Sequence, residues 1–229
     1  MEPEQMNDRA LKEELIETCI AMNASGINRG TSGNISVRTG DDTFLMTPSG
    51  IAYLEMTPDQ IVPMLTDGAY EGDWKPSTEW RMHADIYAEK PEAGAVLHCH
   101  APHATALSCL RMDVPAFHYM IGVTGAKMIK CAKYELFGTK ELSVEMMAAF
   151  GDGNTCLLAN HGFTCFSKDL KSVLKLGIEI ENLCQQYVLA LSAGKPFVLT
   201  DAEMDEALAA FKTYGNQPKT KAKKATGKA

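Results

Sequence analysis

Three histidines fall within six positions of the sequence, in the stretch AVLHCHAPH, although the whole chain has only 6 histidines. Residues two apart on a β-strand point to the same face, so His98 and His100 would project side by side. Two imidazoles placed in this way can bind one metal ion, and Zn²⁺ favours such nitrogen ligands. His103 follows Pro102 at the start of the next predicted helix, and we interpret it as structural or as a neighbour of the ligands. The pair alone is also compatible with two ordinary polar residues of a strand.

A catalytic metal site with an open position needs a third protein ligand, and the stretch LLANHGF offers His161. This histidine directly follows an apolar segment and precedes Gly162, which places it at a strand end or a turn. Taken alone, His161 is also compatible with an ordinary histidine in a turn. Together with His98 and His100 it predicts a three-histidine metal site. Zn²⁺ suits three imidazoles and a carboxylate, and Mn²⁺, Fe²⁺ or Co²⁺ could occupy the same ligands.

The stretch PSTEWRMH places Ser77 and Thr78 at a predicted helix start, with Glu79 in the first turn. One interpretation of Glu79 is a helix-capping acid. The other is an acid/base residue beside an anion that the two hydroxyls and the helix amides bind. The loop GTSGN at 30–34 can turn its backbone amides toward a phosphate in the same way, and TPSG at 47–50 is a second turn of small residues.

Composition and charge exclude several classes of protein. The chain has 229 residues and a net charge of −7, and its last stretch, QPKTKAKKATGKA, carries five lysines and no acids. The remaining body is acidic, which argues against a nucleic-acid-binding surface. The acidic, polar start does not resemble a signal peptide, and no apolar run approaches membrane-spanning length. The odd number of cysteines, 7, most of them in apolar runs, predicts reduced buried thiols and a cytoplasmic location.

Periodicity predicts one α/β domain in which a sheet lies between helix layers. Helical patterns cover 7–26, 75–91, 101–111, 139–151, 168–192 and 200–211. Strands are expected after the loop at 27–34, at TFLM, at AGAVLHCH and at VPAFHYMI, and NTCLLANHGFTCFS predicts a hairpin. Both histidine stretches therefore lie at or near strand ends.

Eight motifs taken together resemble the class II aldolase/adducin family. In chain order they are GTSGNISVR, TPSG, STEWRMH, AVLHCHAPH, VPAFHYMI, FGTKELS, LLANHG and FKTYG. The resemblance runs from about residue 8 to residue 215, so it implies one domain over 1–215 and leaves 216–229 as a Lys-rich, disordered tail. It also implies a mainly antiparallel sheet sandwiched between helices.

The resemblance implies a role for each matching position. His98, His100 and His161 match the family's three zinc ligands, and Glu79 matches its acid/base glutamate, which also approaches the metal. The positions that match the phosphate cradle are Thr31, Gly33, Asn34, Ser49, Gly50, Ser77 and Thr78. Tyr119 matches a tyrosine that reaches the neighbouring subunit's site. The residues that match those lining and covering the aldehyde end are Phe137, Phe211 and Tyr214. Tyr119 and Tyr214 are also expected to be catalytic, together with Glu79. A C4 homotetramer with sites at subunit interfaces is implied.

The activity implied is reversible cleavage of a ketose 1-phosphate to dihydroxyacetone phosphate and an aldehyde through a zinc-stabilised ene-diolate. Candidate substrates are L-fuculose 1-phosphate, 5-deoxyribulose 1-phosphate and 5-methylthioribulose 1-phosphate. Dehydration of methylthioribulose 1-phosphate and a non-catalytic, adducin-like module are the alternatives. Lys130, Lys133 and Glu135 stand where sugar aldolases of the family carry uncharged residues. At the edge of the site they would alter substrate preference, whereas at the solvent surface they would not.

Overall fold

A computed structural model describes residues 3–211 of the chain. The predicted Tyr214 and the Lys-rich segment 216–229 lie outside the described residues. The predicted domain end at residue 215 and the predicted disordered tail therefore stay predictions.

A single sheet forms the centre of the fold. Its strands are β1 (Asn34–Arg38), β2 (Thr43–Met46), β3 (Val62–Leu65), β4 (Ala95–Cys99), β5 (Cys131–Ala132), β6 (Thr155–Leu158) and β7 (Gly162–Ser167). Their spatial order is β3-β2-β1-β4-β7-β6-β5. Every neighbouring pair is antiparallel except β5 with β6. The predicted mainly antiparallel sheet is confirmed, and the two short strands β3 and β5 are additions that the sequence patterns did not predict.

Helices cover both faces of the sheet, as predicted. They are α1 (Pro3–Ala24), α2 (Trp80–Glu89), α3 (Pro102–Cys109), α4 (Lys140–Phe150), α5 (Leu170–Ala193) and α6 (Asp201–Phe211). Side chains of α1, α3 and α5 pack in one buried apolar cluster with the sheet. Side chains of α2 and α4 form a second cluster with the other face. The fold is thus two apolar layers separated by the sheet.

The prediction of a strand at VPAFHYMI is wrong. Val114 makes only an isolated bridge with Ile129, and residues Tyr119–Thr124 form a 3-10 helix. His118 caps this helix, because its Nδ1 accepts a hydrogen bond from the Met120 amide at 3.1 Å. The alternation of apolar residues is real, but Pro115 has no amide hydrogen to donate to a neighbouring strand.

All seven cysteines are free thiols. Five of them are buried, as predicted, whereas Cys109 is exposed and Cys131 is half-buried. In the part of the chain that the structure describes, none of the helices combines the length and apolar character that crossing a membrane requires.

Candidate active site

Strand β4 carries His98 in the middle of the sheet. Its neighbours Leu97 and Cys99 belong to the apolar cluster under α1, α3 and α5, so alternation turns His98 toward α2. The imidazole is completely buried. Its Nδ1 lies 2.9 Å from the carbonyl oxygen of Phe163 on the adjacent strand. Because that carbonyl can only accept, Nδ1 carries a proton, which leaves Nε2 as the ring atom that can bind a metal ion.

His161 lies in the tight connection between β6 and β7, where Leu158 pairs with Gly162 across a three-residue loop. The preceding residue, Asn160, has a φ of 54°, a left-handed conformation that asparagine tolerates. The end of α3 holds the loop, since the His161 amide donates to the Ser108 hydroxyl at 3.3 Å. A Cβ atom on Gly162 would lie 2.5 Å from the Cys99 carbonyl oxygen, so only glycine lets the loop approach β4 this closely.

The three predicted ligand histidines form one cluster. One ring nitrogen each of His98, His100 and His161 lie within 4.8 Å of one another, and within residues 3–211 no other group of this kind was found that could hold a metal. The Nε2 atoms of His98 and His100 are 3.2 Å apart. His103 is not part of the cluster. Its Nδ1 lies 2.7 Å from Glu181 Oε1, and its amide also donates to that carboxylate, which confirms a structural interpretation.

Glu79 completes the cluster from the other side. Its Oε2 lies 3.1 Å from His98 Nε2, and its Oε1 lies 3.2 Å from His161 Nε2. The helix begins one residue later than predicted, at Trp80, so Glu79 occupies the N-cap position rather than the first turn. Its side chain makes no capping hydrogen bond. The capping interpretation is therefore wrong, because the carboxylate points to the histidines instead of to the helix amides.

The electrostatics of the cluster favour metal-binding protonation states. Burial alone raises the pKa of Glu79, but His98, His161 and a hydrogen bond from Asn34 outweigh it and lower the pKa to about 2. Burial, assisted by His98, lowers the pKa of His100 to about 4 and that of His161 to about 3. At neutral pH Glu79 is thus a carboxylate and His100 and His161 are unprotonated imidazoles, which are the forms that bind metal ions.

The arrangement fits a divalent cation. Glu79 Oε1 is buried and accepts no hydrogen bond, although a buried carboxylate oxygen normally has a partner. The His98 ring is fixed by its N–H on a backbone carbonyl, as metal-bound histidines usually are. A cation among these atoms would satisfy the lone pairs that otherwise face each other. The donor set is nitrogen and oxygen, which suits Zn²⁺ and also Mn²⁺, Fe²⁺ or Co²⁺.

A cleft of about 360 Å³ opens beside the cluster. His100, His161 and Glu79 line one side of it. All seven residues predicted for the phosphate cradle also line it, namely Thr31, Gly33, Asn34, Ser49, Gly50, Ser77 and Thr78. The described residues that line the cleft include no Lys or Arg. Hydroxyl and amide groups are thus the donors that one chain offers to an anion there.

Close packing brings the cradle loops to the metal strand. A Cβ atom on Gly33 would lie 2.9 Å from the His98 carbonyl oxygen, so a larger residue would push the 30–34 loop away. The other two loops are joined by backbone hydrogen bonds, from Ser49 to Lys75 at 3.0 Å and from Ser77 to Thr47 at 2.9 Å. The Ser77 hydroxyl also accepts from the Glu79 amide at 3.3 Å. The loops and the cluster therefore form one unit.

The far wall of the cleft is built by the segment 134–137. Phe137, predicted for the aldehyde end, lines it together with Tyr134 and Glu135. Of the three unusual charges in this region, only Glu135 reaches the cleft. Lys133 lies at the surface and pairs with Glu145 at 3.3 Å, and Lys130 is exposed. The charged residue that can influence substrate preference is Glu135.

Two predicted residues do not reach this cleft within one chain. Tyr119 and Phe211 stack on each other, with ring centroids 6.3 Å apart and 19° between the planes. Phe211 lines a different, open hollow of about 800 Å³ between the 3-10 helix, α5 and α6. Tyr119 is half-exposed beside it. Their predicted roles at an active site stay predictions, as does that of Tyr214.

Sequence reasoning missed part of the site's support. Asn34 Nδ2 donates to Glu79 Oε2 at 3.1 Å, and behind it lie His83, Ser36 and Tyr87, all of them buried. The available signal was spacing. Glu79, His83 and Tyr87 follow each other at intervals of four, which places them on one side of a helix.

Comparison with known proteins agrees with this geometry. The family model described as "Class II Aldolase and Adducin N-terminal domain" matches residues 13–188. A 5-methylthioribulose-1-phosphate/5-deoxyribulose-1-phosphate aldolase from Rhodospirillum rubrum is 44% identical over 207 residues, which cover 90% of this chain and 93% of the relative. An L-fuculose phosphate aldolase from Escherichia coli K12 is 42% identical, over 92% of this chain and 98% of the relative.

A solved structure of L-fuculose 1-phosphate aldolase superimposes with a TM-score of 0.86. It is 37% identical in sequence, and the match covers 89% of this chain and 96% of that chain. The family model spans most of the chain, and the relatives match along nearly their whole length. The chain therefore belongs to the class II aldolase and adducin family, and it is an enzyme of the metal-dependent aldolase type.

Proposed function

We propose that this protein is a zinc-dependent aldolase that reversibly cleaves a ketose 1-phosphate to dihydroxyacetone phosphate and an aldehyde. The observation that carries the proposal is a single arrangement. Three histidines and Glu79 converge on one point, and seven small or hydroxyl-bearing residues line the same cleft. A metal site next to an anion site is what a phosphorylated ketose requires.

The metal-binding residues we propose are His98, His100, His161 and, in the resting enzyme, Glu79. A divalent cation held by them would supply positive charge to stabilise the ene-diolate of the reaction. The cradle at 31–34, 49–50 and 77–78 would hold the phosphate. Binding energy far from the reacting bond would thereby fix the orientation of the substrate.

Glu79 is the proposed acid/base residue. In the direction of synthesis, its carboxylate removes a proton from the hydroxymethyl carbon of dihydroxyacetone phosphate, and the resulting ene-diolate attacks the aldehyde carbon. In cleavage the same proton returns to that carbon after the bond breaks. The low pKa keeps Glu79 ionised at rest, and movement of the carboxylate away from the histidines would raise its proton affinity toward the value that acid/base catalysis needs.

Tyr119 is the proposed donor to the aldehyde oxygen, acting in the cleft of a neighbouring subunit of a homotetramer. Its position supports this, because the half-exposed Tyr119 and its stacking partner Phe211 lie away from their own cleft.

Mixed oligomers test whether Tyr119 acts in the cleft of a neighbouring subunit. Glu79→Gln and Tyr119→Phe chains, each inactive alone, should regain activity after co-refolding, and light scattering should give the mass of four chains. Absence of any complementation would contradict the interface site.

The substrate class is tested by a coupled assay for dihydroxyacetone phosphate on zinc-loaded enzyme. The substrates are L-fuculose 1-phosphate, 5-deoxyribulose 1-phosphate and 5-methylthioribulose 1-phosphate, each also run with Glu79→Gln. We expect release from at least one of them and loss of release in the variant. Zinc-loaded enzyme that releases none from all three would overturn the aldolase proposal, and a dehydration product would then point to the alternative lyase.

Glu135 is the proposed determinant of preference among these substrates. Its carboxylate can accept a hydrogen bond from a substrate hydroxyl, and a site built for a hydroxyl discriminates strongly against analogues that lack it. Glu135→Ala should therefore change the ratio of kcat/KM between L-fuculose 1-phosphate and 5-deoxyribulose 1-phosphate. Lys133→Ala, which removes the charge two residues away at the surface, is the matched control and should leave the ratio unchanged.

A further inference from the structure

A continuous row of buried polar side chains leads from the interior of the protein to Glu79. Its members, in spatial order, are Tyr87, Ser36, His83, Asn34 and Glu79. We call the first four the β1–α2 chain, because Asn34 and Ser36 lie on β1 whereas His83 and Tyr87 lie on α2. Ser36 and His83 have no exposed surface, and Asn34 and Tyr87 are each 3% exposed.

Regular geometry creates the row. Residues 34 and 36 are two apart on a strand, so both face α2, and residues 79, 83 and 87 are four apart at the start of and along α2, so they face β1. The contacts are short. The Ser36 hydroxyl lies 2.8 Å from the Tyr87 hydroxyl and 2.7 Å from His83 Nδ1. His83 Nε2 lies 2.6 Å from Asn34 Oδ1.

The protons of the β1–α2 chain have one consistent assignment. The Glu79 carboxylate only accepts, so the Asn34 NH₂ group must face it, and Asn34 Oδ1 must face His83. His83 therefore carries its proton on Nε2. Burial, with an added contribution from His98, lowers the pKa of His83 to about 3, so the imidazole is neutral and its Nδ1 accepts from Ser36. Since the Ser36 proton faces His83, the Ser36 oxygen accepts from the Tyr87 hydroxyl.

All donors in the chain thus point toward Glu79. This fixes one oxygen, Oε2, against Asn34, while the other oxygen, Oε1, is left without a hydrogen bond. A carboxylate that is anchored through one oxygen cannot rotate freely about its last bond. Oε2 also lies 3.1 Å from His98 Nε2, so the anchor at Asn34 sets how the whole carboxylate faces the histidine cluster.

We propose that the β1–α2 chain positions the Glu79 carboxylate for catalysis, with His83 as its central positioning residue. The inference rests on the proposed function, because it assigns Glu79 the acid/base role. It adds to that function three buried residues that do not line the cleft, namely Ser36, His83 and Tyr87. Asn34, predicted for the phosphate cradle, acts in this chain through its side chain.

The test compares two substitutions of His83 in the zinc-loaded enzyme. Glutamine carries one donor and one acceptor at its end, as a neutral imidazole does, whereas phenylalanine carries neither. His83→Phe should lower kcat about 10- to 100-fold, as the loss of outer partners of metal-site ligands typically does. KM should stay within about twofold, and His83→Gln should recover most of the lost kcat. Thr155→Val is the matched control, since it removes another buried hydrogen bond, from Thr155 to the Thr164 carbonyl at 3.0 Å.

The outcomes separate this inference from the proposed function. A folded, zinc-loaded His83→Phe variant with the wild-type kcat overturns the inference while leaving the aldolase proposal intact. A wild-type enzyme without activity on any of the three substrates overturns the proposed function instead. A fall in kcat in Thr155→Val as large as in His83→Phe would show a general loss of packing and also overturn the inference.

A second measurement is made on the wild-type enzyme, and a variant is needed only to assign one signal. The ¹⁵N NMR spectrum of wild-type enzyme, labelled on its histidines, should show His83 as the neutral tautomer protonated on Nε2. The His83→Gln spectrum assigns the signal by its disappearance. A His83 protonated on Nδ1 at neutral pH contradicts the assignment and removes the basis of the positioning role.

Discussion

The two faces of the sheet differ in what the same strands present to them. Toward α1, α3 and α5, strands β1 and β4 present Ile35, Val37, Leu97 and Cys99, which join a continuous apolar core. Toward α2, the same strands present three polar residues, Asn34, Ser36 and His98, beside the apolar Val96. All three are buried, and each has a hydrogen-bonding partner.

The difference shows how one sheet can serve stability and chemistry separately. Buried polar groups are costly unless they are hydrogen-bonded, so the polar residues of β1 and β4 require partners from α2. Glu79, His83 and Tyr87 provide these partners. The apolar face carries no such requirement and supplies hydrophobic stabilisation. Adjacent residues of one strand should therefore fail in different ways when they are replaced.

The largest effect is expected on the polar face. His98→Ala removes a completely buried ligand, and we expect a loss of kcat/KM of about 1,000-fold or more, equivalent to about 4 kcal/mol of transition-state stabilisation. Bound zinc, measured by atomic emission, should fall with it. A His98→Ala enzyme that keeps both zinc and activity would break the assignment of function to this face.

The neighbouring position on the apolar face should behave in the opposite way. Leu97 is completely buried, and Leu97→Ala should lower the free energy of unfolding by about 2–5 kcal/mol through lost burial and a cavity. Activity per folded molecule should remain close to that of the wild type. Urea denaturation and an active-site zinc count measure the two properties separately, and a stable but inactive Leu97→Ala enzyme would contradict the division.

A pH-dependent effect of intermediate size is expected from His83. Its folded pKa of about 3 lies below the unfolded value of about 6.5, so below pH 6.5 the unfolded chain binds a proton that the folded chain does not. Stability from this group is complete above pH 6.5 and falls by about 1.4 kcal/mol per pH unit as the pH drops toward 3. His83→Gln lacks this dependence, so its denaturation curves between pH 5 and 7 should vary less with pH. Equal slopes in both proteins would contradict a buried neutral His83.

The smallest effect concerns a polar residue on the apolar side. Asp169 caps α5, because its Oδ1 accepts from the Ser172 amide at 2.7 Å. Asp169→Ala should cost about 1 kcal/mol of unfolding free energy and leave kcat unchanged. Thermal unfolding and the aldolase assay check both parts. A clear loss of kcat would show that the helices of this face also tune the site.

Much of the site was predictable because local sequence rules place it. His98 and His100 follow from alternation along a strand, and His161 follows from an apolar strand that ends in a tight loop. The resemblance to the family supplied the phosphate cradle, and all of its residues line one cleft.

Other features depend on contacts between distant parts of the chain and left weaker signals. Glu79 occupies the N-cap position of α2, but its side chain lies against histidines far away in sequence and makes no capping hydrogen bond. The strand predicted at 114–121 fails because Pro115 has no amide hydrogen for strand pairing and because His118 caps a 3-10 helix. Predicting the β1–α2 chain would have required knowing how β1 packs against α2, and the sequence of neither segment alone contains that information.

The most direct test of the central claim is a zinc titration of metal-free enzyme, followed by release of dihydroxyacetone phosphate from the best of the three ketose 1-phosphates. We expect no activity without metal, a linear rise as zinc is added, and a plateau at about one zinc ion per chain, since there is one cluster of three histidines. Full activity in the metal-free enzyme, or a plateau that His161→Ala does not change, would contradict it.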